Sequence, residues 1–76
     1  AFDSNGGSLV ETITVNENST IPKPEDPIRE GYKFVGWYLN GQAYDFNKKV
    51  TQDIVLEAKY IKISYIYYII AIILDF

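Results

Sequence analysis

Between Gly31 and Tyr60 the chain spaces its aromatic side chains in a period that suits strands and leaves little room for a helix. Gly31-Tyr32-Lys33-Phe34-Val35-Gly36-Trp37-Tyr38 is followed by Tyr44-Asp45-Phe46 and then by Leu56-Glu57-Ala58-Lys59-Tyr60. Aromatic and β-branched residues at alternate positions fit a pleated surface. Read as a strand, Lys33 to Leu39 points Tyr32, Phe34 and Tyr38 one way and Val35, Trp37 and Leu39 the other. A strand with two apolar faces is expected at the centre of a sheet or against another module, and Gly36 leaves room for a neighbouring ring. Asn40-Gly41 is a strong hairpin-turn signal, leading into a short strand or turn at Ala43 to Phe46. The last strand of this unit is expected from Ile54 to Tyr60, with Ile54, Leu56, Ala58 and Tyr60 inside and Glu57 and Lys59 outside.

Upstream, Phe2-Asp3-Ser4 reads as the end of a strand and Asn5-Gly6-Gly7-Ser8 as a turn, because Asn and Gly tolerate positive φ. Leu9 to Val15 is rich in β-branched residues and alternates, which predicts another strand. Asn16 to Thr20 is polar; Asn18-Ser19-Thr20 matches a glycosylation acceptor in form, and a polar loop is the simpler reading. Pro22 and Pro24 enforce extended backbone. Asp26-Pro27 looks like a helix cap followed by proline in the first helical position, so a single helical turn closed by Gly31 is expected.

The chain has 76 residues with neither Cys nor His. Disulfides, thiolate nucleophiles, imidazole bases and the common zinc sites are therefore excluded, and so small a core must rely on packing or on partners. The net charge of −3 is spread without a basic stripe, which argues against nucleic acid. Acidic pairs such as Glu25 and Asp26, or Asp45 and Asp53, fall in predicted loops or on solvent faces and lack the pocket that general acid–base chemistry needs. Asp3-Ser4-Asn5-Gly6-Gly7 lacks the distal Glu of a calcium loop. No catalytic residue, metal or cofactor is expected. The candidate recognition residues are Trp37, Tyr38 and Tyr44, which are of the types that stack on sugars or partner surfaces; packing within the sheet is the competing use. With no initiator Met or signal peptide, and strand-like sequence from the start, the chain reads as a processed protein or an excised module.

Taken in order, Phe2-Asp3-Ser4-Asn5-Gly6-Gly7, the Gly31 to Tyr38 motif, Tyr44-Asp45-Phe46 and Ala58-Lys59-Tyr60 resemble the Listeria–Bacteroides repeat, the B-repeat type of internalin-like bacterial surface proteins. The resemblance covers residues 2–60. It implies a small α+β module, mostly β and β-grasp-like, with at most one short helical turn and a core of Phe2, Ile13, Val15, Phe34, Trp37, Phe46, Leu56 and Ala58. It also implies a non-enzymatic spacer or adhesion repeat on the bacterial cell surface, outside the cell, whose partners are proteins: a neighbouring repeat or a host surface molecule. A carbohydrate-binding module is the alternative, with a glycan as partner. The family usually closes on Ala-Lys-Trp, where this chain has Tyr60.

Residues 61–76 do not share the resemblance and are expected to form a separate apolar tail. Ile61, Ile63 and Tyr65 alternate with Lys62 and Ser64 in the parity opposite to that of the preceding strand, so a bulge is expected at Tyr60 and Ile61, or a change of partner. From Ile66 to Leu74 every residue is apolar or Tyr. Nine residues span about 13 Å as a helix, too short for a ~30 Å bilayer core, and the Ile and Tyr content favours a strand. Ile63, Tyr65, Ile66, Tyr67, Tyr68, Ile69, Ile70, Ile72, Ile73 and Leu74 are thus expected to form an extra strand of this domain, a strand exchanged with another copy, or a cross-β stack. Exchange would make the chain a fibre subunit and a homo-oligomer.

Overall fold

The computed structural model describes residues 1–74, with the Leu74 side chain outside the description. Five elements follow in order: β1 (Phe2–Asp3), β2 (Tyr32–Leu39), β3 (Gln42–Ala43), β4 (Leu56–Lys62) and α1 (Ile63–Leu74). The strands form one mixed sheet in the order β1-β4-β2-β3, with β1 parallel to β4 and the other pairs antiparallel. The mostly-sheet, α+β class expected from the sequence is the class observed.

The β2–β3 connection is a two-residue hairpin at Asn40 and Gly41, whose φ values are 50° and 81°. Both central residues of such a turn need positive φ, which Asn tolerates and Gly adopts freely. Around it, Tyr38 pairs with Ala43 and Leu39 with Gln42.

The register of β2 on β4 explains the aromatic motif. Tyr32 pairs with Lys62, Phe34 with Tyr60, Gly36 with Lys59 and Trp37 with Ala58, with a register shift between Phe34 and Gly36. Val35 is the extra residue, and it is 55% exposed. Because an inserted residue reverses the alternation beyond it, Phe34, Trp37 and Leu39 all reach the same core cluster despite their mixed parity. The two-faced strand expected from strict alternation is therefore corrected. Tyr38, which pairs with Glu57, stands on the opposite face from Trp37. The bulge expected at Tyr60 and Ile61 is absent: β4 pairs regularly through Tyr60, Ile61 and Lys62, so Ile61 turns to the outer face beside Lys33.

Trp37, Leu56 and Ala58 are buried, and Phe2, Val10, Phe34, Leu39, Tyr44, Phe46, Ile54 and Tyr60 pack against them. Phe2 and Phe34 meet Trp37 edge-on at ring-centroid distances of 4.9 and 5.4 Å. Such tilted pairs add about 0.5–1.5 kcal/mol beyond area burial. Ile13 and Val15, expected in the core, are only half-buried and line an open groove of about 600 Å³ with Val50 to Val55. Their segment is not a strand. It is tied down beyond its end, where the Asn18 N–H donates to the Val50 carbonyl and the Val50 N–H to the Ser19 carbonyl, at 2.8 and 2.9 Å. A β-prone sequence without a ladder partner remains extended and irregular.

The helical turn expected after Asp26 is also absent. The Ile28 N–H donates to Ser8 Oγ and the Ser8 N–H to the Ile28 carbonyl, each at 2.8 Å, so this peptide bonds sideways instead of along a helix. A turn then closes from the Arg29 carbonyl to the Tyr32 N–H at 3.0 Å.

The largest correction concerns the tail, where residues 63–74 form a helix instead of a strand. The pairing of β4 with β2 ends at Lys62 opposite Tyr32, because Gly31, with φ 81°, turns the preceding chain away. On its other side, among the described residues, β4 is paired only through Leu56 and Glu57. Past Lys62 a strand would have no neighbour within the chain, whereas a helix satisfies its backbone internally. The Ile63 N–H, one of the donors a helix start leaves over, donates to the Gly31 carbonyl at 3.1 Å. The intrachain strand and the exchanged strand are both replaced by this helix; the tail's last residues, Asp75 and Phe76, lie outside the described residues.

Candidate functional site

The three recognition candidates do not converge. Trp37 is 3% exposed at the centre of the core, and its ring has no face free to stack on a ligand. Tyr44 is half-buried and packs on Phe46 at 5.0 Å with an interplanar angle of 89°. Its N–H donates to the Trp37 carbonyl at 2.9 Å, which continues the hairpin one step beyond β3. Tyr38 lies on the outer face, under the Lys59 ammonium 4.6 Å from its ring centroid. Among the described residues, the Trp37 indole N–H and the Tyr44 hydroxyl are both buried without a hydrogen-bond partner. A buried polar group left in that state costs about 1–3 kcal/mol.

The most densely bonded region joins the first residues to β4. The Leu56 N–H donates to the Ala1 carbonyl at 2.9 Å, and Asn5 Nδ2 donates to the Ala58 carbonyl at 3.0 Å. The Tyr60 hydroxyl donates to the Ser4 carbonyl, which also accepts the Gly7 N–H at 3.0 Å. An Asx turn, Asn5 N–H to Asp3 Oδ1 at 2.9 Å, sets up the reversal, with Asn5 and Gly6 at φ 52° and 87°. Gly7 is required for space: a Cβ there would lie 2.1 Å from the Tyr60 hydroxyl oxygen. The Arg29 guanidinium covers the Tyr32 ring at 3.9 Å and the Tyr60 ring at 5.4 Å. Burial raises the Tyr60 phenol above its usual 10.0; Arg29 opposes this and Asp3 reinforces it. The sequence motif marked Asn5-Gly6-Gly7 as a turn, but the Ser4–Tyr60 bond depends on the parallel pairing of β1 with β4 and had no local signal.

The second surface is α1. Tyr65, Tyr67, Tyr68, Ile69, Ile70, Ile72 and Ile73 are all 44–68% exposed, while Ile63 and Ile66 are half-buried near the sheet. The molecule measures 53 Å along its long axis against 22 and 18 Å across. Among the described residues no helix is long and apolar enough to cross a membrane, and no three carboxylates group closely enough to suggest a metal site.

The Listeria-Bacteroides repeat domain family matches residues 1–59. Internalin H of Listeria monocytogenes is 38% identical over 69 residues, 84% of this chain and 12% of that protein. A protein of Evansella cellulosilytica named "Putative membrane protein" is 41% identical over 64 residues, 79% of this chain and 10% of its own length. The chain thus spans about a tenth of these relatives. No solved structure matches it. The matched residues include the Asn5-Gly6-Gly7 turn, the bulged aromatic strand and most of β4, and they stop short of α1. The chain therefore belongs to the Listeria-Bacteroides repeat family, a repeat family of surface proteins, and is related to Internalin H.

Proposed function

We propose that this chain is a non-enzymatic extracellular spacer module of a bacterial surface protein, which holds its neighbours apart and carries load between them while they adhere. The direction of β1 on β4 carries the reading. Because the two strands are parallel, with Phe2 opposite Leu56, the chain enters at the start of β4 and leaves the sheet at Lys62. Six residues of strand separate those points, about 20 Å. Tension between the two ends pulls β1 and β4 in opposite directions along their length. The Ala1–Leu56, Asn5–Ala58 and Ser4–Tyr60 bonds are then loaded together in shear, instead of opening one after another. The packing of Phe2 and Phe34 on Trp37 supports the same reading, since it commits the motif's rings to a rigid core. The expected partners are proteins, first of all the adjoining modules.

The chain has no Cys, so single thiols can serve as handles. In single-molecule pulling, Ala1→Cys with Ser64→Cys loads the strands in shear. Ala1→Cys with Gln52→Cys peels them from one end. The shear pair is expected to unfold at clearly higher force. Equal forces, or a weaker shear pair, would overturn the spacer reading.

A further inference from the structure

We infer that the open groove beside Ala1 is the seat of an extended polypeptide strand joined ahead of that residue, so that in an array the connection from the preceding module is built into this module's sheet. This rests on the spacer reading, which supplies the preceding module. The ladder between β1 and β4 already runs past β1 toward the groove. The Ala1 nitrogen donates to the Ile54 carbonyl at 2.8 Å, and the Ala1 carbonyl accepts the Leu56 N–H at 2.9 Å. These two bonds straddle Val55, which continues the parallel pattern one residue back from Phe2 opposite Leu56. The next rung would join the residue two places ahead of Ala1 to the Gln52 carbonyl and the Ile54 N–H. Among the described residues, neither group has a backbone partner.

The groove is lined by Ala1, by Thr12 to Glu17 with Ile21, and by Val50 to Val55. Ile13 and Val15 are half-buried while Thr12 and Thr14 are exposed, the alternation of a strand with one covered face. No backbone group of residues 12–15 bonds to another backbone group among the described residues. A strand entering the groove therefore meets unpaired backbone on both stretches, which is the chemistry of strand addition. One strand residue fills about 160 Å³, from its rise, its spacing to neighbours and the thickness of a sheet. The groove, at about 600 Å³, is large enough for about four of them. The ladder also sets their character. Phe2 and Leu56 face the core and Ile54 packs beside them, so the first and third residues ahead of Ala1 point inward and suit β-branched or aromatic side chains. The second points outward and suits a polar one.

Other occupants fit less well. The groove's lining contains no aromatic ring on which a sugar could stack. A strand from a second copy or a free peptide would have to stop short of Ala1, which already fills the rung opposite Val55. So short a strand also falls far below the roughly 800 Å² per partner that stable pairs bury. A strand joined to Ala1 needs no such area, because the linkage makes its docking intramolecular. The joint between modules is then no free hinge. The stretch from Leu9 to Val15 gains the neighbour that its β-prone side chains lack, and the ladder loaded in shear grows longer.

The test adds the tripeptide Val-Thr-Val ahead of Ala1 in the full chain. This extension is expected to raise Tm by roughly 10 °C, from new ladder bonds and two buried valines. It should also slow hydrogen exchange of the Ile54 amide about tenfold or more. A Val-Pro-Val extension moves the terminal charge by the same distance and keeps both valines, but its proline has no N–H for the Gln52 carbonyl. It should give less than about half of the gain in Tm. The inference is overturned if Val-Thr-Val leaves Tm and Ile54 exchange as they are in the parent chain, or if Val-Pro-Val matches it. Protection that grows with protein concentration would place a second copy's strand in the groove and would also overturn it. These readouts are taken without load, so equal forces in the pulling experiment would remove the spacer reading and leave them unchanged.

Discussion

Gly7→Ala should damage this fold through one side chain, Tyr60, and the size of the effect follows from the packing. The new Cβ would sit 2.1 Å from the Tyr60 hydroxyl oxygen, 3.1 Å from the ring carbon that bears it and 3.2 Å from the Ser4 carbonyl oxygen. The hydroxyl must retreat by roughly 1 Å or more to reach ordinary contact. That breaks its bond to the Ser4 carbonyl, which is worth about 1 kcal/mol. It also disturbs the edge-on pairs of Tyr60 with Phe34 and Tyr32, at 5.9 and 6.3 Å, each worth about 0.5–1.5 kcal/mol when intact. The expected loss is about 2–3 kcal/mol, which lowers Tm by roughly 10–20 °C in a domain of this size.

Tyr60→Phe alone should cost about 1 kcal/mol or less, because the Ser4 carbonyl keeps the Gly7 N–H. In that background the closest clash is gone, and Gly7→Ala should cost about 1 kcal/mol. The two changes should therefore couple by about 1–2 kcal/mol, within the range seen for residues in contact. The effect of Gly7→Ala on the unfolded chain cancels in the cycle. The assay is urea unfolding of the four proteins followed by Trp37 emission. Equal costs for Gly7→Ala in both backgrounds would refute the reasoning.

Three further outcomes can be checked in the same way. Tyr44→Phe removes a buried hydroxyl that has no partner among the described residues, so urea unfolding should show it neutral or stabilising by up to about 1 kcal/mol, opposite in sign to Tyr60→Phe. Deleting Val35 removes the extra residue of β2; Phe34 and Trp37 then stand two positions apart and still share a face, so circular dichroism with Trp emission should report a chain that keeps its sheet. Because burial raises the Tyr60 phenol above 10.0, its contribution is fully present below the unfolded-state value and is lost as pH rises through the folded value. Tm measured across that alkaline window should fall, and the fall should be smaller in Tyr60→Phe.

The turns were legible because they rest on local chemistry. Asn5-Gly6 and Asn40-Gly41 take up positive φ wherever the rest of the chain goes. The strands expected at 33–39 and 54–60 were legible from their aromatic and alternating residues and are observed at 32–39 and 56–62, and Trp37, Leu56 and Ala58 were legible as core. Tyr38 was misplaced because a bulge cannot be seen in one strand: Val35 is an extra residue only when β2 is counted against β4. The β-prone stretch at 9–15 was misread for a related reason, since propensity supplies side chains suited to a sheet without supplying a neighbour.

The tail shows the division most clearly. Its composition determined that residues 63–74 are uncharged, apolar or Tyr apart from Ser64, and free of Gly and Pro, a property that suits a strand and a helix alike. Which of the two forms was decided thirty residues upstream, where Gly31 turns the chain away and β2 ends opposite Lys62. Beyond that point a strand has no partner for its backbone, and a helix closes its own hydrogen bonds.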